Sequence, residues 1–152
     1  MTMTLLEMKE VDLAFVNETR NDSSTRRYLR NNKLISLDET YTWFRTSSPK
    51  WFIINVDDQK VGYLRTSHDT GETICCGCDI HPAHRGKGHS KNAYNLLMED
   101  FYSRGYILIW LEVFRDNVIA YNLYKKLGFI EAGPVKRNID KRSCVTMVHK
   151  VA

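Results

Sequence analysis

The sequence predicts an α/β (α+β) fold: a central mixed, mostly antiparallel sheet flanked by helices. Three observations carry this expectation. The pattern changes at about Lys50, from polar helical segments to strand-like runs. Three of those runs, separated by short polar turns, read as an antiparallel meander. A turn rich in glycine and cations, a helix, a further strand and a further helix then follow in order.

At 152 residues the chain fits one domain, 1–152, with a core of ordinary size. Its 43% hydrophobic and 26% charged residues belong to a soluble globular protein rather than a disordered one. No apolar run approaches the ~20 residues needed to span a bilayer. The stretch Met1 to Glu10 lacks the apolar centre of a secretion signal, so a cytoplasmic protein is expected, with no membrane partner.

Before Lys50, Leu13, Phe15 and Val16 mark a first helix, Asp12 to about Arg20, and Ser23 to Leu29 a short second one. Ser36-Leu37-Asp38-Glu39 has the form of a capping box and starts a helix carrying Tyr41, Trp43 and Phe44. After it, Trp51 to Val56, Val61 to Thr66 and Thr73 to His81 are strands, divided by the turns Asp57 to Lys60 and His68 to Gly71. Gly88 to Ser103 is a helix, with Ala93, Leu97 and Phe101 at helical spacing. Tyr106 to Phe114 reads as a central strand apolar on both faces. A helix from Asn117 to Leu127 ends at Gly128, a left-handed cap. Val145 to His149 alternates as a last strand, pairing either within the chain or with a partner in a homodimer.

Cys75 and Cys78 have the C-x-x-C spacing, but no second pair exists to complete a structural zinc site. Cys75, Cys76, Cys78 and Cys144 are therefore expected to be buried reduced thiols, with no metal.

The formal net charge of +4 is a mild excess, and it is clustered: His84, Arg85, Lys87, His89 and Lys91 fall within eight positions. In His84-Arg85-Gly86-Lys87-Gly88-His89-Ser90 the glycines let backbone approach a ligand, and the following helix presents free N–H groups. Together they suit a pyrophosphate. Neither a P-loop nor a complete dinucleotide fingerprint is present. No RNA-binding aromatic motif or helix-turn-helix supports a nucleic-acid partner.

Arg85, Gly88 and Ser90, in R-x-x-G-x-S, are followed in order by Asn117, Ala120, Tyr124, Gly128 and Phe129. This pairing strongly resembles the GNAT acetyltransferase superfamily from Trp51 to the C-terminus; Ser90 stands where the family usually has Gly or Ala. The resemblance implies acetyl-CoA as acetyl donor and a small-molecule amine as acceptor. It implies a sheet splayed between the fold's fourth and fifth strands, here the one ending at Ile80 and His81 and the one ending near Val113. The amides from Arg85 to Ser90, through Gly86, Lys87, Gly88 and His89, would hold the pyrophosphate. Arg85, Lys87 and Lys91 would neutralise it, and the strand edge at Ile80 and His81 would pair with the pantetheine arm. A strand amide would polarise the thioester carbonyl. Asn117, Ala120 and Tyr124 share one helix face, over which a cofactor approaches; Asn117 also reads as the helix cap.

Tyr124 is the expected general acid, as in the family. Its phenol, ~10 in water, is roughly matched to a leaving thiol at ~8.5 or above. Many relatives carry a glutamate where this chain has Cys75 to Cys78, so the base is sought elsewhere: Glu112 and His81 are the leading candidates, with Asp79 a third. Glu112 shares a face with Tyr106, Leu108 and Trp110, where a carboxylate is costly without partners.

For the acceptor, Arg20-Asn21-Asp22 and Ile35-Ser36-Leu37-Asp38-Glu39 resemble acetyltransferases of nucleotide-linked 4-amino sugars. Ribosomal-protein N-terminal acetyltransferases share the R-N-D feature. Arg20, Arg26, Arg27 and Arg30 could bind a diphosphate, and Trp43 or Tyr41 could stack on a base or sugar. Taken singly, these residues read rather as exposed helix faces and core aromatics.

Overall fold

The computed structural model describes residues 2–135 and 143–151. Seven strands form one sheet in the order β1-β2-β3-β4-β5-β7-β6. They are β1 (Met3–Glu7), β2 (Phe52–Val56), β3 (Gln59–Ser67), β4 (Thr73–Ile80), β5 (Leu108–Phe114), β6 (Ile130–Pro134) and β7 (Cys144–Lys150). The helices are α1 (Leu13–Asn21), α2 (Ser23–Arg26), α3 (Leu37–Ser47), α4 (His89–Ser103) and α5 (Val118–Lys126). Every strand pair is antiparallel except β4–β5.

That parallel pair opens. β4 meets β5 only where Thr73, Ile74 and Cys75 face Leu108, Ile109 and Trp110. Beyond Cys75 the two strands part, while β4 stays joined to β3 as far as Ile80. The C-terminal strand β7 pairs within the chain, filling β5's other edge along its whole length. Two strands, β1 and β6, had no counterpart in the sequence reading. Both are five-residue edge strands with mostly exposed side chains; Met3 and Leu5 of β1 do pack against the core, but two positions are too short an alternation to mark a strand. The Tyr106 to Phe114 segment was expected to be covered on both faces. It is covered on one: Ile109, Leu111 and Val113 are buried and Leu108, Trp110 and Glu112 only half-buried.

The larger core lies between the sheet and α4. It joins Ile54, Leu64, Ile74, Ile109, Leu111, Val145 and Met147 to Ala93, Tyr94, Leu97 and Phe101. A smaller core on the other face joins Leu13 and Val16 of α1 to Ile53 and Tyr63, with Trp43, Phe44 and Trp51 against them. Trp51 stacks on Tyr63 at 5.3 Å and meets Trp43 at 4.7 Å. Trp43 is thus taken up by the core rather than offered to a ligand. At α3 the capping box forms as expected: Glu39 N–H donates to Ser36 Oγ at 3.1 Å, and Ser36 N–H to Glu39 Oε1 at 3.3 Å. No helix among the described residues is long and apolar enough to cross a membrane.

Candidate active site

The Arg20-Asn21-Asp22 turn is a staple for the segment between α2 and α3. Arg20 Nη2 donates to Asn31 O at 2.6 Å and its Nη1 to Lys33 O. Asn21 brackets Ile35, donating to its carbonyl at 2.7 Å and accepting from its N–H at 3.0 Å. Arg26 donates to Asn32 O at 3.2 Å, and Asp22 accepts from Ser24 N–H at the start of α2. Arg20 and Arg26 are therefore spent on backbone carbonyls. Arg27 lies over the Tyr28 ring at 4.5 Å.

The segment so held roofs a cleft of about 320 Å³, whose floor is the half-covered face of β3, β4 and β5. Tyr28 and Arg30 line it from above, and Arg65, His68, Cys75, Trp110 and Glu112 from the sheet. Arg30 Nη2 meets Glu112 Oε2 at 2.6 Å. Arg65 lies across β4 and pairs with Asp79 at 3.1 Å. Gly77 makes that possible, since a Cβ there would come within 2.5 Å of the guanidinium. Burial works against the Arg65 charge, but Asp79 together with the phenols of Tyr63, Tyr94 and Tyr124 outweighs it, and the net shift is upward. Burial also pushes the Cys75 thiol up. None of the four cysteines is in a disulfide, and Cys75 and Cys78 are only partly buried.

On the other side of the parted strands stands Tyr124, buried on α5. It meets the Tyr94 ring edge-on at 5.5 Å and accepts a hydrogen bond from the Tyr94 hydroxyl at 3.4 Å. Burial pushes its phenol up to about 12, partly countered by that bond. The Cys78 thiol, interacting with Tyr124 and touching Ser90 Oγ at 3.5 Å, is pushed by burial to about 12 as well. Tyr121, the neighbouring phenol, instead donates to Glu131 at the surface.

Gly86 and Gly88 both have φ of +77°, and nothing lies within 4 Å of where a Cβ would stand on either. Gly88 starts α4 with no side-chain cap, so the first-turn amides are left for an anion. The cradle fits a pyrophosphate. Lys87 and Lys91 are exposed beside it. The Arg85 guanidinium is turned elsewhere, donating to Ile80 O at 3.0 Å, to Thr25 Oγ1 at 2.7 Å and to Ser24. His89 is buried behind the turn, so its backbone and not its ring faces the cradle. Asn117 occupies the cap position of α5, yet its side chain makes no capping bond. Ala120, one turn on, is half-buried.

The two leading base candidates are far from equivalent. Glu112 lines the cleft. His81 does not: its Nδ1 accepts from Ala83 N–H at 3.1 Å, its Nε2 lies 3.3 Å from Glu18, and its ring stacks on Phe15. Asp79 is engaged by Arg65. Sequence reasoning missed Arg65, His68 and Trp110 as lining residues. The usable signal was Arg65, a cation that directly follows the run Val61 to Leu64 in the same strand, a position that demands a partner.

Residues 14–129 match the sequence model of the acetyltransferase (GNAT) family. The chain belongs to that family. Over 85 residues it is 28% identical to the [ribosomal protein bS18]-alanine N-acetyltransferase of Salmonella typhimurium strain LT2, a match covering 56% of this chain and 57% of that relative. The fold superposes on spermidine N-acetyltransferase from Vibrio cholerae, solved with CoA and spermine, with a TM-score of 0.89 and 20% identity over 97% of this chain and 95% of that one. It also superposes on the ribosomal-protein-alanine N-acetyltransferase of Brucella melitensis, with a TM-score of 0.79 and 16% identity over 99% and 100%. At these identities the superpositions establish the fold.

Proposed function

We propose that the protein is an acetyl-CoA-dependent N-acetyltransferase acting by direct attack of a primary amine, with Glu112 as base and Tyr124 as acid. One observation carries the reading: Glu112 lines the cleft on one side of the parted strands, and Tyr124 is buried on the other. Bound acetyl-CoA supplies an activated thioester. The amides from Gly86 to Ser90, with Lys87 and Lys91, hold its pyrophosphate, and Ala120 gives it room along α5. Arg85 contributes its backbone and locks the turn onto α2. An alkyl ammonium with pKa ~10.4 must lose a proton before it attacks, and Glu112 accepts it. Tyr124 gives a proton to the departing sulfur. The phenol at about 12 would be a poor acid toward a thiol of ordinary pKa. The same dry surroundings that raise the phenol also disfavour a thiolate released beside it, so burial shifts donor and acceptor in the same direction.

The acceptor reading is an amino sugar, carried on a nucleotide. Trp110 and Tyr28 line the cleft where a sugar ring would lie, and Arg30 stands at the roof for phosphate. A polyamine is less well served, because Glu112 is the one carboxylate among the described lining residues. An N-terminal peptide amine is the second reading, supported by the ribosomal-protein relative. Thiol release from acetyl-CoA, measured with a nucleotide-linked 4-amino sugar, an N-terminal alanine peptide and spermidine, separates the three. Release with the amino sugar and loss of it in Glu112→Gln are expected; release with the peptide alone would reverse the order.

A further inference from the structure

Glu112, the carboxylate that the acetyl-transfer reading needs as base, is held by a cation at 2.6 Å. That cation is placed with care. Arg30 leads into a segment whose carbonyls at 31, 32 and 33 all accept from Arg20 or Arg26, with Asn21 fixing Ile35 behind them. The Arg30 side chain is 52% exposed and Glu112 only 22%, so the guanidinium covers the carboxylate from the solvent side. An incoming ammonium must take its place on Glu112. Arg65 is already matched by Asp79. A bare amine would leave the Arg30 guanidinium without its anion at the outer wall of the cleft, which favours an acceptor that brings an anion of its own.

We propose that Arg30–Glu112 selects acceptors by ion-pair exchange: the amine replaces the guanidinium on Glu112, and an anionic group of the same molecule replaces the carboxylate on Arg30. The acceptor class is a primary amine that carries a nearby phosphate or carboxylate. This rests on the acetyl-transfer reading and narrows its substrate. It makes Arg30 a specificity residue that touches the acceptor, and it makes the R-N-D staple the part that aims it.

The test uses matched acceptors: a uridine-diphosphate-linked 4-amino sugar against the methyl glycoside of that sugar, and a free amino acid against its amide. Thiol release gives kcat/KM for each with the wild type, Arg30→Gln and Arg30→Lys. The wild type is expected to prefer the anionic member of one pair by about 10–100-fold, mainly through KM. Arg30→Gln should bring that ratio to about one, and Arg30→Lys should restore part of it, which a merely misfolded variant could not do. The pair that shows the effect says whether phosphate or carboxylate is read. A wild-type ratio near one, or a ratio that survives in Arg30→Gln, would overturn the exchange and leave acetyl transfer standing. No thiol release with any member, nor with peptide or spermidine, would overturn acetyl transfer itself and the exchange with it.

Discussion

On the face of the sheet under α4 and α5, side chains from β2, β3, β4, β5 and β7 merge into one core, with Tyr94 and Leu97 almost fully buried among them. On the opposite face the helical cover ends at β3, where α1 and α3 close a small core around Tyr63. Past that edge, Trp110 and Glu112 are left half-open beneath a loop. The same strands thus serve two solvents. One face is almost wholly apolar, and its few polar atoms pair with one another, as Tyr94 does with Tyr124. The other carries arginines and a carboxylate, each matched by an opposite charge, since an unmatched one would be costly. The gap between β4 and β5 joins the two environments, and the proposed acid and base stand on its two sides.

Substitutions on the two faces should therefore fail differently. Leu97→Ala, in the sealed core, should cost about 2–5 kcal/mol in denaturant unfolding. Trp110→Ala, on the open face, should cost far less stability and instead raise the acceptor KM. Equal destabilisation by both would break the comparison.

Tyr124→Phe should lower kcat by about 10²-fold or more with acetyl-CoA affinity nearly unchanged. Its phenol must be protonated to act, and that form persists until pH nears its raised value of about 12. The wild-type kcat should therefore show no alkaline decline up to about pH 10. A decline near pH 8 would point to a different acid.

Arg20→Ala strands two carbonyls of the roof, at Asn31 and Lys33. It should cost about 1–3 kcal/mol and raise the acceptor KM, with the acetyl-CoA KM little changed. An unaltered acceptor KM would mean that the staple does not aim the roof. The smallest effect expected is that of Ser36→Ala, which removes the α3 cap: about 1 kcal/mol in thermal or denaturant unfolding, with turnover unaffected.

Much of this molecule is written in local pattern. The capping box at Ser36, the left-handed glycines of the turn before α4 and the helical spacing of Ala93, Leu97 and Phe101 are short-range signals, and each lies where the sequence places it. Tyr124 was legible because it sits at a fixed offset from Asn117 on one helix. The edge strands β1 and β6 were not, because strands this short, with most side chains exposed, leave too little apolar alternation to read. The base could not be chosen either: Glu112 and His81 lie 31 positions apart, and only the splaying of their strands puts one in the cleft and the other on Glu18 and Ala83.

The sequence by itself determined the helices, the inner strands, the glycine-rich turn before α4 and the family, since these depend on backbone preference and on contacts within a few residues. Tertiary structure alone decided which arginines are free to meet a ligand. Arg20, Arg26, Arg30 and Arg85 are equivalent as letters, but three are consumed by carbonyls and hydroxyls brought from elsewhere in the chain, and the fourth is set against Glu112. A guanidinium's role is fixed by its partners, and those partners are brought together only by folding.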